Sequence, residues 1–143
     1  MGNIGRTALG AAAQQAWCGM ECRSLQDVRI LLLEDDALIS IDAEDMLLSL
    51  GAARVLIAHT VEEAEAIVAR ERIDAAVLDL LIGSERCEEF AGRLAARPIP
   101  IVFASGFGDS GTLPEALKVV PTVAKPYSPQ ELCAALARAL GSA

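Results

Sequence analysis

The sequence has few of the residues that build metal–thiolate centres, and no segment suited to a membrane. Aromatic residues make up 3% of the 143 residues, there is one histidine, and the four cysteines form no CxxC pair. We therefore expect no zinc site, and this cysteine usage favours a reduced, cytoplasmic setting. No uninterrupted apolar run reaches the roughly 18 residues that suggest a membrane span, so we expect none.

Basic clusters are also lacking. The chain has 12 Lys and Arg against 20 Asp and Glu, a net charge of −8, and its arginines are scattered singly. Binding to a phosphate backbone needs a basic surface, so we expect no nucleic-acid partner. Hydrophobic residues nevertheless make up 53% of the chain, mostly Leu, Ile, Val and Ala. That fraction is enough for a packed core and excludes disorder over the whole length.

Residues 1–26 differ in composition from the rest of the chain. They are rich in Ala and Gly and lack clear periodicity, and Gly10, Gln14 and Gln15 interrupt their apolar part too often for a signal peptide. We interpret residues 1–26 as a flexible or weakly helical tail and residues 27–141 as a single folded domain.

From Val28 onward, short aliphatic runs alternate with helical patterns. The predicted strands are VRILLL (28–33), RVLIA (54–58), AAVL (75–78), IVFA (101–104) and TVA (122–124). A helical spacing of apolar residues follows each strand, although it is weak at residues 115–118. Capping boxes at residues 60–63 and 128–131 mark two helix starts. The pattern predicts an α/β, flavodoxin-like (βα)5 fold, with a doubly wound five-stranded parallel sheet of order 2-1-3-4-5.

Polar residues stand where four of these strands end. They are Glu34, Asp35 and Asp36 after the first strand, Asp79 after the third, Ser105 after the fourth and Lys125 after the fifth. Ligands bind beyond the carboxyl ends of strands in such sheets. Converging carboxylates repel one another, and Mg²⁺, which prefers oxygen ligands, relieves that repulsion. A lysine and a hydroxyl suit the oxygens of a phosphoryl group, which a carboxylate such as Asp79 can accept.

These strand-end residues resemble those of the receiver domain of two-component response regulators. The resemblance covers about residues 28–140 and rests on LLLEDD, AAVLDL, IVFASG and VAKPY in that order. It implies that Asp79 accepts a phosphoryl group, that Ser105 binds this group, and that Lys125 pairs with it.

The resemblance also implies a set of Mg²⁺ ligands. Asp35 and Asp79 would bind the ion, Glu34 would act through water, and the carbonyl of Leu81 would complete the protein's share. Asp36 is interpreted as a flanking charge near the start of the first helix, where an acid is favourable.

The sequence departs from the common receiver pattern on the fifth strand. Thr122 stands where most receivers carry an aromatic switch residue, whereas FASGFG (103–108) is similar to the FATGUY subgroup. Members of that subgroup are often single-domain bacterial proteins that serve HWE-type histidine kinases. The resemblance then implies that signalling runs through the glycine-containing loop 106–111 and the weak fourth helix that follows it.

We therefore expect a single-domain response regulator that accepts a phosphoryl group from a histidine kinase and signals through protein–protein contacts. It would not be an enzyme, although it would assist its own phosphorylation and dephosphorylation. One alternative is a phosphatase or phosphotransferase of the haloacid-dehalogenase kind, but Leu81 occupies the position of that family's second aspartate. Another is a receiver that binds partners without phosphorylation, which Thr122 leaves open.

Overall fold

The structure, a computed structural model, describes residues 25–82, 85–106 and 117–141, without the side chains of residues 85 and 86. Its strands are β1 (Arg29–Leu33), β2 (Arg54–Ala58), β3 (Ala75–Asp79), β4 (Leu81–Ile82), β5 (Glu85–Arg86), β6 (Ile101–Ser105) and β7 (Thr122–Ala124). Its helices within these ranges are α1 (Ala37–Ser49), α2 (Val61–Arg70), α3 (Glu88–Ala96) and α4 (Pro129–Gly141).

Five strands form one parallel sheet in the order β2-β1-β3-β6-β7. Counted within this sheet alone, the order is 2-1-3-4-5, so the predicted flavodoxin-like class is confirmed. The two remaining strands, β4 and β5, form a separate antiparallel hairpin directly after β3. The hairpin could not be predicted from the sequence, because strands of two residues are too short to show a periodic pattern.

Successive strand residues point to opposite sides of the sheet, so both of its faces carry apolar side chains. Helices cover each of these faces. Ile30 and Leu32 pack in the layer that contains α1 and α4, whereas Leu31 and Leu33 pack in the layer that contains α2 and α3. The helices contribute buried residues to these layers, among them Leu47 from α1, Leu136 from α4, Ile67 from α2 and Leu94 from α3. This arrangement leaves the carboxyl ends of the strands as the edge where ligands can bind.

Local sequence signals set the helix ends. The predicted capping box at residues 128–131 forms: the Ser128 hydroxyl accepts from the Glu131 amide at 3.1 Å while the Glu131 carboxylate accepts from the Ser128 amide at 2.9 Å. At residues 60–63 only the first half of the box forms: the Thr60 hydroxyl accepts from the Glu63 amide at 3.1 Å, but the Glu63 carboxylate accepts from the His59 amide at 2.7 Å. Gly51 follows α1 with a φ of +115°, a conformation that glycine adopts without strain.

Some sequence predictions fall outside the described residues. Residues 115 and 116 of the weak helix predicted at 115–118 do so, and so do residues 107–111 of the loop predicted at 106–111. Leu25 is fully buried against α1 and α4 residues, so the packed fold begins at least two residues before the predicted boundary at residue 27. Across the described ranges, every helix is too short or too polar to cross a membrane.

Candidate functional site

Two buried acids meet where β1 and β3 end. Leu33 pairs with Leu78 in the parallel register, so the residues that follow, Glu34 and Asp79, come side by side. Both are almost fully buried, with 2% and 3% exposure. Two neighbouring carboxylates away from water repel each other strongly, so this position requires a compensating cation.

The Lys125 ammonium supplies positive charge between these acids. Its Nζ lies 2.8 Å from Asp79 Oδ2 and 3.1 Å from Glu34 Oε1. The backbone directs the side chain there, because the Lys125 amide donates to the Ser105 carbonyl at 2.9 Å directly after β7. Lys125 is followed by Pro126 across a cis peptide bond. One lysine thus bridges acids from two other strands.

The Glu34 carboxylate is held at both oxygens. Oε1 accepts from Lys125, and Oε2 accepts from the Asp36 amide at 3.1 Å. Burial raises the pKa of Glu34, and the nearby charge of Asp79 raises it further, while these hydrogen bonds act in the opposite direction. The Glu34 carboxylate is therefore held in one position in the pocket, and burial destabilises its ionised form.

Lys125 is held in its charged form. Burial lowers the pKa of its ammonium, but hydrogen bonds to Asp79 and Glu34, together with their negative charges, outweigh burial and raise the pKa overall. The lysine therefore presents a permanent positive charge next to Asp79 at neutral pH.

The pocket also contains a third acid. One carboxylate oxygen each of Glu34, Asp35 and Asp79 lies within 4.8 Å of the others, and Asp35 is exposed to solvent. Three carboxylates against one ammonium leave an excess negative charge that a divalent cation would neutralise. An all-oxygen donor set of this kind fits Mg²⁺.

Leu81 and Ser105 flank this pocket. The Leu81 amide donates weakly to Asp79 Oδ1 at 3.4 Å. The Ser105 hydroxyl ends β6 and donates to the Gly106 carbonyl at 3.4 Å, and no hydrogen bond to the acids is present among the described residues. Metal binding by the Leu81 carbonyl and phosphoryl binding by Ser105 stay predictions.

Asp36 belongs to the helix rather than to the pocket. Its carboxylate accepts from the amides of Leu38 and Ile39 at 2.9 and 3.1 Å and so caps α1. This geometry agrees with the interpretation of Asp36 as a flanking charge at the start of the first helix.

Tyr127 is a residue near the site that sequence reasoning missed. Its side chain is buried, and its hydroxyl has no hydrogen-bond partner within the described part of the chain. Burial, together with the negative charge of Glu34, raises the pKa of Tyr127 to about 12. The only signal available was the position of the chain's single tyrosine, two residues after Lys125.

The comparisons with known proteins agree with this geometry. The response regulator receiver domain family matches residues 30–137. The solution structure of SdrG from Sphingomonas melonis Fr1 is 36% identical, with 79% of this chain and 96% of that chain covered and a TM-score of 0.67. A BeF3-activated conformation of SdrG, from Pseudomonas melonis Fr1, is 35% identical, with 80% and 98% covered and a TM-score of 0.66.

A more distant structure shares the fold. The receiver domain protein from Clostridium thermocellum is 21% identical, with 80% of this chain and 95% of that chain covered and a TM-score of 0.70. No curated protein matches the sequence. The family match over residues 30–137 and the 36% identity to SdrG show that this chain belongs to the response regulator receiver domain family.

Proposed function

We propose that this protein is a phosphoacceptor that takes a phosphoryl group on Asp79 from a histidine kinase and then signals through protein contacts. The observation that carries the proposal is the 2.8 Å contact between Lys125 Nζ and Asp79 Oδ2 beside the cluster of Glu34, Asp35 and Asp79. A carboxylate nucleophile, a fixed cation and a cation-binding acidic pair are the parts that phosphoryl transfer needs.

Asp79 is the nucleophile in this proposal. One of its carboxylate oxygens attacks the phosphorus of a phosphohistidine, an O–P bond forms, and the P–N bond to the imidazole breaks. The electron pair of that bond stays on the histidine nitrogen. Because Asp79 is the end residue of β3 and is 3% exposed, its carboxylate is positioned before the donor arrives.

Lys125 and Ser105 would bind the transferred group. The Lys125 ammonium already contacts Asp79 and would pair with a phosphoryl oxygen attached there. The Ser105 hydroxyl would exchange its long contact with the Gly106 carbonyl for a phosphoryl oxygen. Mg²⁺ held by Asp35, Asp79 and the Leu81 carbonyl, with Glu34 acting through water, would neutralise charge on the phosphoryl oxygens.

The similarity to SdrG supports a protein that accepts a phosphoryl group rather than an enzyme that hydrolyses or transfers phosphoryl groups repeatedly. SdrG, which is 35% identical, has a BeF3-activated conformation, and BeF3 imitates a phosphoryl group on a carboxylate. Leu81 offers no acid or base for the second step of a haloacid-dehalogenase-type reaction. We accordingly propose a non-enzymatic bacterial signalling protein of the cytoplasm, with an HWE-type kinase as donor because of the sequence FASGFG.

Incubation with acetyl phosphate and Mg²⁺ tests the proposal without the kinase. Intact-mass spectrometry should show the gain of one phosphoryl group, dependent on Mg²⁺ and lost in Asp79→Asn. The matched control is Asp27→Asn, since Asp27 is exposed and asparagine tolerates its positive φ of 65°. Labelling that persists in Asp79→Asn would contradict the proposal, and absence of labelling in the folded wild type would favour a receiver that binds partners without phosphorylation.

A further inference from the structure

Tyr127 carries a buried hydrogen-bond donor that phosphoryl transfer as proposed above does not use. Its side chain is 8% exposed, and its hydroxyl has no hydrogen-bond partner within the described residues. A buried hydroxyl without a partner destabilises the fold, so such a group in a native protein requires an explanation. Tyr127 lies only two residues after Lys125. We therefore expect this hydroxyl to find its partner at the acidic pocket in another state of the protein.

Glu34 is the acceptor that fits this hydroxyl best. Burial is the main reason that the pKa of Tyr127 is raised to about 12, and among the surrounding charges that of Glu34 comes next. Asp42 has a smaller effect and is exposed, so water can hydrate its carboxylate. Glu34 is 2% exposed and depends on donors from the protein. A carboxylate oxygen can accept two hydrogen bonds, and each oxygen of Glu34 accepts only one among the described residues.

Lys125 now supplies one of the two hydrogen bonds to Glu34. Its ammonium lies 3.1 Å from Glu34 Oε1 and 2.8 Å from Asp79 Oδ2. A phosphoryl group on Asp79 would draw the ammonium toward its oxygens, because it carries more negative charge than a carboxylate and offers three acceptors. Glu34 would then be a buried carboxylate that has lost its charged donor, which favours any neutral donor able to replace it.

We propose that Tyr127 is a positioning residue whose hydroxyl donates to Glu34 when Lys125 turns to the phosphoryl group. The inference rests on the proposed function for the event that moves the lysine. The tyrosine has room to turn, since it and Lys125 line the same cavity between α1 and the segment that follows β7. The new hydrogen bond would hold the Glu34 carboxylate in place while the ammonium is engaged elsewhere.

The substitution Lys125→Met tests the proposal without phosphorylation, because it removes the ammonium and keeps a long side chain. Tyr127 is the only tyrosine of the chain, so the tyrosine Fermi doublet in the Raman spectrum reports on this hydroxyl alone. In EDTA at pH 8 we expect a hydroxyl that does not donate in the wild type and a strong donor in Lys125→Met, seen as a several-fold fall in the intensity ratio of the doublet. Lys118→Met, at an exposed lysine, should give the wild-type spectrum.

Urea unfolding in EDTA measures the strength of the new hydrogen bond. Tyr127→Phe should leave the wild type no less stable, because the hydroxyl has no partner there among the described residues. In the Lys125→Met background, the same substitution should raise the equilibrium constant of unfolding about tenfold. Equal effects in the two backgrounds would contradict the proposal, since a ring that only packs would contribute equally to both.

BeF3 with Mg²⁺ extends the test to the wild type, and decides it if Lys125→Met does not fold. Once fluorine NMR shows bound BeF3, we expect the same change in the doublet, and we expect Asp42→Asn to retain it. The inference is overturned by a hydroxyl that already donates in EDTA, by an unchanged doublet in folded Lys125→Met or with BeF3 bound, or by a change that Asp42→Asn abolishes. Failure of BeF3 to bind would contradict the proposed function instead, because the Lys125→Met measurements do not depend on it.

Discussion

Lys125 Nζ at the end of β7 lies 2.8 Å from Asp79 Oδ2 at the end of β3, although β6 separates the two strands in the sheet. The same ammonium contacts Glu34, which follows β1. One side chain thus joins the ends of three strands through charge. Its replacement should affect both the stability of the fold and the charge of the pocket.

We expect Lys125→Ala to lower the free energy of unfolding by about 3 kcal/mol when Mg²⁺ is absent, because it leaves Glu34 and Asp79 as buried acids without their cation. Mg²⁺ should restore part of this loss by neutralising the same carboxylates. Urea unfolding in EDTA and in Mg²⁺ measures both effects. Lys118→Ala, at an exposed lysine, is the control. Equal stability of Lys125→Ala and wild type in EDTA would show that the bridge is not needed to hold the acids.

Asp35 and Asp36 are adjacent, but we assign them different roles. Mg²⁺ at 100 times its dissociation constant should stabilise the wild type by about 2.7 kcal/mol. Asp35→Asn should remove most of this gain, because Asp35 belongs to the acidic cluster. Asp36→Ser should retain it, because serine preserves the cap of α1 that Asp36 provides.

Thermal unfolding of the two variants at several Mg²⁺ concentrations distinguishes these roles. Asp36→Ala serves as the control that removes the side-chain cap of α1. It should lower the free energy of unfolding by about 1 kcal/mol with or without Mg²⁺. A larger loss of Mg²⁺ stabilisation in Asp36→Ser than in Asp35→Asn would reverse the assignment.

Tyr127 should make the fold sensitive to alkaline pH. The pKa of its phenol is raised to about 12 in the folded protein, against about 10 in an unfolded chain. The unfolded state thus releases this proton first, and stability is lost as pH rises from about 10 through 12. By pH 11 we expect this group to have cost the wild type about 1 kcal/mol that Tyr127→Phe does not lose.

Urea unfolding at pH 8 and pH 11 measures the difference. The raised pKa of Lys125 adds a loss of the same sign above its usual value of 10.5, but this loss is common to both proteins. At pH 8 Tyr127→Phe should be at least as stable as wild type, since its hydroxyl has no partner in the described structure. Equal losses between pH 8 and pH 11 in the two proteins would contradict this account.

The main sheet could be predicted because its strands are aliphatic runs with polar ends. VRILLL and AAVL contain almost only residues that are buried on both faces, and the charged residues that follow mark where each strand stops. Since parallel strands share one carboxyl edge, these signals also predicted that Glu34, Asp79 and Lys125 would meet.

Features that depend on contacts rather than on spacing could not be predicted from the sequence. Hairpin β4–β5 has strands of two residues, so no periodicity identifies it. Leu25 was assigned to the tail because one isolated leucine shows no pattern, yet tertiary packing buries it completely. Tyr127 gave no sign of an unsatisfied hydroxyl, since the absence of a partner is a property of the folded surroundings.

Reduction of the phosphorylated protein with borohydride tests the central claim most directly. An aspartyl phosphate is reduced to homoserine, so peptide sequencing by mass spectrometry locates the acceptor. After treatment with acetyl phosphate and Mg²⁺, we predict homoserine at position 79 and unchanged acids at Glu34 and Asp35. Reduction at either of those neighbours, with Asp79 intact, would contradict the assignment of Asp79 as the residue that carries the phosphoryl group.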